Sequence, residues 1–311
     1  MTTVKTKATT FRQSKKSCRT LFTYMQRVID RLLRLGKHKL ASNYRCALSS
    51  FRRFREEADL LFSELNDDLM VDYEAWLRRS GICKNTSSCY IRNLRATYNR
   101  AVKEGIVTQC HPFRCVYTGI DKTMKRAISL PDLKRIKELD LSSSPSQERA
   151  RDFFLFSFYT RGMSFVDMAY AQKSDLSHGI LTYRRRKTDQ LLSVKWENKM
   201  QQIVSKYDTE ESSYLLPIIR HPDNAYREYR NASRQINIHL RKIGEQLQLP
   251  IPLTMYVARH TWASVARHKN ISTSVISEAM GHNSEETTRI YLSSLDTTHI
   301  DKANKLIINS I

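Results

Sequence analysis

The residues with the most chemistry to offer fall in order along the last third of the chain. They are the run Tyr256-Val257-Ala258-Arg259-His260-Thr261-Trp262-Ala263, then Met280-Gly281-His282, then Thr287-Thr288 and Tyr291. A phenol, a guanidinium and an imidazole together suit the breaking of a phosphodiester without water or metal. The phenol attacks phosphorus and keeps the bond energy in a covalent link. A guanidinium forks onto two phosphoryl oxygens at once, a fit that an ammonium lacks. Fixed donors aimed at the charge that develops on a pentacovalent phosphorane are usually the largest source of rate enhancement. In the bland reading Arg259 is a surface charge, His282 a loop histidine and Tyr291 a core aromatic. The ordered set on a strongly basic chain argues against it.

Charge points the same way. Among 311 residues, 52 Lys and Arg stand against 31 Asp and Glu, a formal +21 at pH 7. Residues 1–120 hold 23 basic and 10 acidic side chains, a net +13, which leaves +8 for the remainder. Both halves are therefore expected to meet a polyanion, since neutralised phosphates release counterions. No run of about 18 apolar residues occurs, and Met1-Thr2-Thr3-Val4-Lys5 has no signal-peptide core, so a soluble cytoplasmic protein with no membrane partner is expected. Eight glycines and no glycine-rich phosphate loop argue against a nucleotide-driven motor. The six cysteines all precede residue 116 at spacings that match neither a zinc motif nor a disulfide framework; Cys110-His111 with Cys115 is too small a set, and ordinary thiols with no metal are expected.

These side chains need a scaffold, and the apolar spacing supplies a mainly α chain with a small β-hairpin, an α+β fold. Residues 1–19 read as a basic flexible arm. Residues 20–115 read as four helices: Leu21 to Leu33 with Gly36 as the stop, Tyr44 to Phe54, Leu69 to Leu77 before Gly81, and a fourth through Tyr90, Leu94, Tyr98 and Ala101 for which Asn85 is the expected N-cap. Arg45 and Arg52 lie on or beside the polar side of the second helix. A linker spans 116–128, polar from Thr118 to Lys125, and a second domain runs over 129–311, opened by Ser129 as cap with Pro131 just inside. Its helices are expected at Glu148 to Tyr159, Tyr226 to Leu247, Val257 to His268 and Ser274 to Met280, with a hairpin from Ile180–Arg186 and Leu191–Trp196 around Thr188-Asp189. A last helical pattern, Ile300, Ala303, Leu306 and Ile307, spans Thr298 to Ile311.

The run Tyr256 to Ala263, which is the second box of the pattern, the Gly281-His282 step, the Thr-Thr pair and Tyr291 resemble the tyrosine site-specific recombinase, or phage integrase, family, and the resemblance extends from about residue 20 to the end. It implies an N-terminal SAM-like core-binding domain and a C-terminal catalytic domain that clamp DNA, with Asn85 to Arg95, including Arg92 and Arg95, on a DNA-facing helix. It implies Tyr291 as nucleophile, Arg259 and His282 beside it, and Lys187 of the Arg185-Arg186-Lys187-Thr188 run as general acid for the leaving 5′ oxygen. His260 of the second box is expected at the DNA.

Two departures from the family pattern stand out. Where the family reads Thr-Gly-Leu-Arg, this chain has Thr160-Arg161-Gly162-Met163-Ser164, which puts Ser164 in the arginine's place. If the segment is helical, Arg161 shares a face with Ser164 and fills the first-arginine role; alternatively Arg161 pairs with Asp167 and Ser164 only hydrogen-bonds the phosphate. Tyr256 replaces the usual histidine and can act as a neutral donor. Both departures look like the branch common in Bacteroides-type bacteria and their mobile elements.

What the resemblance implies is site-specific recombination of double-stranded DNA, by integration, excision or inversion, through a 3′-phosphotyrosine and a Holliday junction. It implies a homotetramer on two sites in the bacterial nucleoid, a C-terminal helix packed in trans or on its own domain, room for accessory DNA-bending proteins, and no cofactor. A type IB topoisomerase and a weakened architectural DNA-binding protein remain alternatives.

Overall fold

The computed structural model describes residues 19–121, 126–207, 209, 211–282, 284–292 and 307–309, without the side chains of Ile290 and Tyr291. The arm up to residue 18, residues 122–125 of the expected linker and all but 307–309 of the expected C-terminal helix lie outside the described residues. The chain divides into two compact units, Met1–Thr123 and Met124–Ile311.

In the first unit, α1 (Leu21–Arg34) buries Leu21, Met25, Val28, Ile29 and Leu32, one stripe at helical spacing. It packs with α2 (His38–Phe54), α3 (Asp67–Arg79) and α4 (Lys84–Lys103) around a core that also takes Phe113 and Val116. Asn66 Oδ1 accepts from Leu69 N to cap α3, and Asp67 and Asp68 occupy its first turn, where helix dipole and orphan N–H groups favour negative charge. Asn85 is not the cap of α4, as the sequence suggested: the helix begins two residues earlier than that cap implies, at Lys84 with Cys83 as N-cap. The Asn85 amide is instead taken by the segment beyond the helix, donating to Asp121 O and accepting from Asp121 N. Thr118 and Gly119 are also fastened to α4, through Arg95 and Ser88. Cys110 and Cys115 turn to different partners, Tyr98 Oη at 3.1 Å and Asp67 Oδ2 at 3.9 Å.

The second unit is built on α6 (Pro145–Tyr159), after the short α5 (Leu130–Glu138) that Ser129 caps through Asp132 N. Phe153, Phe154, Leu155 and Phe156 are all buried, so the C-terminal half of α6 is apolar all round and central rather than peripheral. A six-residue α7 (Phe165–Tyr170) leads to a three-stranded antiparallel meander, β1 (Leu176–Ser177), β2 (Ile180–Arg184) and β3 (Leu191–Lys195). Arg184 faces Leu191 across the hairpin, which leaves Arg185–Gln190 as a six-residue connection closed by Arg185 N to Gln190 O at 2.8 Å. Then come α8 (Asn198–Val204), α9 (Ala225–Gln246), α10 (Met255–His268), α11 (Thr273–Met280) and α12 (Glu285–Leu292). Ala263, Ala266, Ile276, Met280 and Leu292 form a small separate core that joins α10, α11 and α12. Among the described residues no helix is long and apolar enough to cross a membrane.

Candidate active site

Arg259, on α10, is only 4% exposed, so it is no surface charge. Its Nη1 donates to Gly162 O at 2.7 Å and its Nη2 to Met280 O at 2.5 Å, which pins the guanidinium between the turn after α6 and the end of α11. Nη2 also meets His282 Nε2 at 3.2 Å. A guanidinium can only donate, so Nε2 is the unprotonated nitrogen and Nδ1 carries the proton it shares with Thr288 Oγ1 at 2.7 Å. The imidazole is therefore neutral with a defined tautomer. Burial, then the positive charges of Arg259, Arg185 and Lys187, push its pKa down to about 4.

The Thr288 contact reaches the helix that carries Tyr291. Thr288 is fully buried, Leu292 packs into the small core, and Arg267 Nη1 donates to Leu292 O at 3.0 Å. Residue 291 thus sits in a helix held on both sides of it, three positions after a residue bonded to His282. The Tyr291 side chain lies outside the described residues.

The turn after α6 is not helical, which corrects the geometry proposed for Arg161 and Ser164. Arg161 and Gly162 both have left-handed backbone, with φ of 59° and 76°. Arg161 is thereby swung away from Ser164, and its Nη1 donates to Ser193 O on β3 at 3.2 Å rather than pairing with Asp167. Ser164 caps α7: its Oγ accepts from Asp167 N and donates to Asp167 Oδ2 at 2.6 Å. The other Asp167 oxygen accepts from Arg186 N. Tyr256 is 58% exposed at the start of α10, with its ring edge-on to His260 at 4.4 Å. His260 itself is 4% exposed, beneath Tyr256 rather than on an open face.

Lys187 lies exposed in the connection of the expected hairpin. The same connection contributes a residue to which the sequence reading gave no role. Arg185 is 7% exposed and its Nη1 donates to Gly281 O, while Thr188 Oγ1 reaches Gly281 O and Gln190 Nε2 reaches His282 O. The hairpin connection thus grips the Gly281-His282 step, while Arg259 of α10 holds Met280 O and His282 Nε2. A strand alternates its faces, and Leu181, Tyr183 and Arg185 are the inward series; that alternation was the signal for Arg185. In the first unit Arg45 is exposed, Arg92 is half-buried, Arg95 Nη1 bonds Thr118 Oγ1, and Arg52 lies over the Phe22 ring and 3.9 Å from Glu57.

With the geometry in place, comparison with known proteins defines a DNA breaking-and-rejoining enzyme with an added DNA-binding domain. A phage integrase SAM-like domain matches residues 20–116 and the phage integrase family matches residues 134–298. The chain belongs to the phage integrase family of tyrosine recombinases. Its fold is that of a lambda integrase dimer bound to a COC′ core site (16% identical, covering 89% of this chain and 97% of that one, TM-score 0.68). It is also that of a lambda integrase tetramer bound to a Holliday junction (16%, 88% and 77%, 0.66) and of the Tn1549 transposon integrase in complex with a circular intermediate DNA (14%, 88% and 95%, 0.62). No curated protein matches the chain.

Gly162 is the tightest point of this site. A Cβ there would lie 2.9 Å from Arg259 Cα, a backbone atom that cannot step aside, and the φ of 76° disfavours any side chain. Gly162→Ala is expected to destabilise the protein by about 2–4 kcal/mol, from left-handed strain plus overpacking. Displacement of Arg259 should slow strand cleavage ~100-fold. Urea unfolding and single-turnover cleavage check both. Gly179→Ala is the control, since Gly179 has a similar φ of 71° with nothing within 4 Å of the added carbon. It should show only the backbone cost, with cleavage unchanged.

Proposed function

We propose that this recombinase cuts and exchanges DNA at specific sites through a covalent 3′-phosphotyrosyl link at Tyr291. The observation that carries the reading is the Gly162–Arg259–His282–Thr288 chain of hydrogen bonds, which joins a buried guanidinium to the helix bearing Tyr291. In this reading Tyr291 Oη bonds to phosphorus as the bond from phosphorus to O5′ breaks. The phenol proton passes to Nε2 of the neutral His282 imidazole, which gives up its contact with Arg259 Nη2 as that guanidinium turns to the phosphate, and the departing O5′ takes a proton from the Lys187 ammonium. Arg259 neutralises the phosphoryl oxygens, with Arg161 or Arg185 as the second guanidinium and Tyr256 as an uncharged donor. A 5′ hydroxyl from the partner duplex then attacks the phosphotyrosine, and a second round resolves the junction. Ser164, engaged with Asp167, acts here through the position of α7, and His260 supports Tyr256.

Arg45, Arg52, Arg92 and Arg95 of the SAM-like domain are assigned to the DNA backbone. Four copies would act on two duplexes in the cytoplasmic nucleoid, in the manner of the lambda integrase tetramer bound to a Holliday junction. The basic arm and the C-terminal segment would steady that assembly.

A duplex nicked beside the cleavage point traps the covalent complex, because the short 5′ fragment diffuses away. The expected product is a denaturant-resistant adduct joined through the 3′ phosphate to the peptide that contains Tyr291. No adduct on any host duplex would sink the reading; an adduct with DNA relaxation but no exchange between two sites would move a topoisomerase ahead.

The lowered pKa of His282 gives the proposal a pH signature. Only the neutral ring can take the phenol proton, and depression to about 4 keeps it neutral far below the ordinary histidine range. Cleavage at subsaturating duplex, which reports the free enzyme, should not decline as pH falls from 8 to 6 and should decline only toward pH 5–4. The folded state also binds fewer protons than the unfolded one between pH ~6.5 and ~4, so thermal stability should fall through that window. An acid limb near 6.5 that His282→Gln removes would contradict this.

A further inference from the structure

We propose that Arg185 is a catalytic residue, the second guanidinium that grips the scissile phosphate beside Arg259. The inference rests on the strand-cleavage reading above and adds a residue to it. Three observations carry it.

Arg185 is buried, and the partner of its Nη1 is a backbone carbonyl rather than a carboxylate. Its Nη1 is anchored on Gly281 O, its aliphatic stem lies against Gly281, and its Nε is buried without a hydrogen-bond partner among the described residues. A guanidinium taken out of water with no counter-ion is costly unless an anion arrives to pair it.

Second, Arg185 and Arg259 hold consecutive carbonyls, Gly281 O and Met280 O, so two fixed guanidiniums flank the step that ends in His282. His282 feels Arg259, Arg185 and Lys187, in that order after its burial.

The third observation concerns the residues that could otherwise supply the charge. Ser164 stands where an arginine would be expected but is uncharged and closed on Asp167. Arg161 is turned by its left-handed backbone onto Ser193 O. Arg185 delivers the missing positive charge from the hairpin connection. Its rigid fork also suits the task, since a phosphorane presents two non-bridging oxygens to be held at once.

A neutral phosphate analogue tests this directly. A methylphosphonate at the scissile position removes one negative charge, so a protein lacking a charge-neutralising arginine regains cleavage on it. Full-length Arg185→Ala, Arg185→Lys and Arg161→Ala are assayed for adduct on nicked duplexes that carry either linkage, with duplex binding measured alongside. Arg185→Ala is expected to lose about 10²–10³-fold on phosphate, the effect of removing one preorganised donor, and to come within about tenfold of wild type on methylphosphonate. Arg185→Lys should fall between the two. Arg161→Ala should lose less, with no relief on methylphosphonate. Each variant's two rates come from one preparation, so loss of folded material cancels in their ratio.

Arg185→Ala that cleaves phosphate at the wild-type rate would overturn the proposal. So would an equal loss on both linkages, which would make Arg185 only a strut for the Gly281-His282 step. Relief of Arg161→Ala instead would assign the role to Arg161. Failure of the wild-type protein to form any adduct would instead remove the underlying reading.

Discussion

Tyr291→Phe is expected to leave no detectable covalent adduct on the nicked duplex, a loss of about 10⁴-fold or more, as when the nucleophile is removed from other covalent catalysts. The variant should still fold and bind DNA. What holds α12 in place is the Thr288 bond to His282, the burial of Leu292 and the Arg267 bond to Leu292 O, and none of these needs the phenol oxygen. Thermal melting and gel shifts close to wild type, together with an absent adduct, would isolate the hydroxyl as the missing element. Two other tyrosines of this domain are the alternatives to weigh. Tyr183 is 7% exposed, and burial, with Asp167 nearby, pushes its phenol well up despite Arg259, Arg185 and Arg161, so it is a poor source of phenolate. Tyr256 is exposed at the mouth of α10 and packs on His260. An adduct that persisted in Tyr291→Phe and mapped to Tyr256 would reassign the nucleophile.

Much of this architecture was legible in the residues. The long helices repeat their apolar stripe several times, as α1 does from Leu21 to Leu32, and a repeated period survives local irregularity. α7 and α8, six and seven residues long, hold fewer than two full turns each, so no period could reveal them. The chemistry-bearing residues on either side of them were readable one by one, and the structure brings Arg259, His282 and the Tyr291 helix into a connected set.

The segment Thr160 to Ser164 was misread because its backbone runs against ordinary preference. An arginine in the left-handed region is uncommon, and two such residues in succession turn the chain, so the condition under which residues 161 and 164 would share a helical face is not met. Even so, Ser164-Phe165-Val166-Asp167 carries a capping signature, a serine followed three residues later by a carboxylate, which the observed bonds use. Arg185 was passed over for a related reason. In a run of two arginines and a lysine, composition does not say which side chain turns inward; the strand register does, and it selects residue 185.

Loss of Arg259 should have two separable consequences. Arg259→Ala removes the donor to Gly162 O and to Met280 O, two carbonyls that hold the walls of the site. Each buried acceptor left unpaired costs about 1–3 kcal/mol, so this variant is expected to be destabilised as well as strongly slowed. Arg259→Lys is the sharper probe. Its ammonium keeps the charge but cannot span Gly162 O, Met280 O and a phosphate with one rigid fork. Single-turnover cleavage should fall ~10³-fold while duplex binding stays within a few-fold, because the fork is needed most when charge builds on the phosphorane. A lysine variant that cleaves as fast as wild type would show that bulk charge suffices there and would remove Arg259 from the catalytic set. In Arg259→Ala the loss of a neighbouring cation should also let the His282 pKa climb from about 4 toward its ordinary value. The acid limb of the residual activity should climb with it, and a histidine resonance followed by NMR across pH 4–7 should move in step. A scaffold defect alone would lower the rate at every pH without shifting that limb.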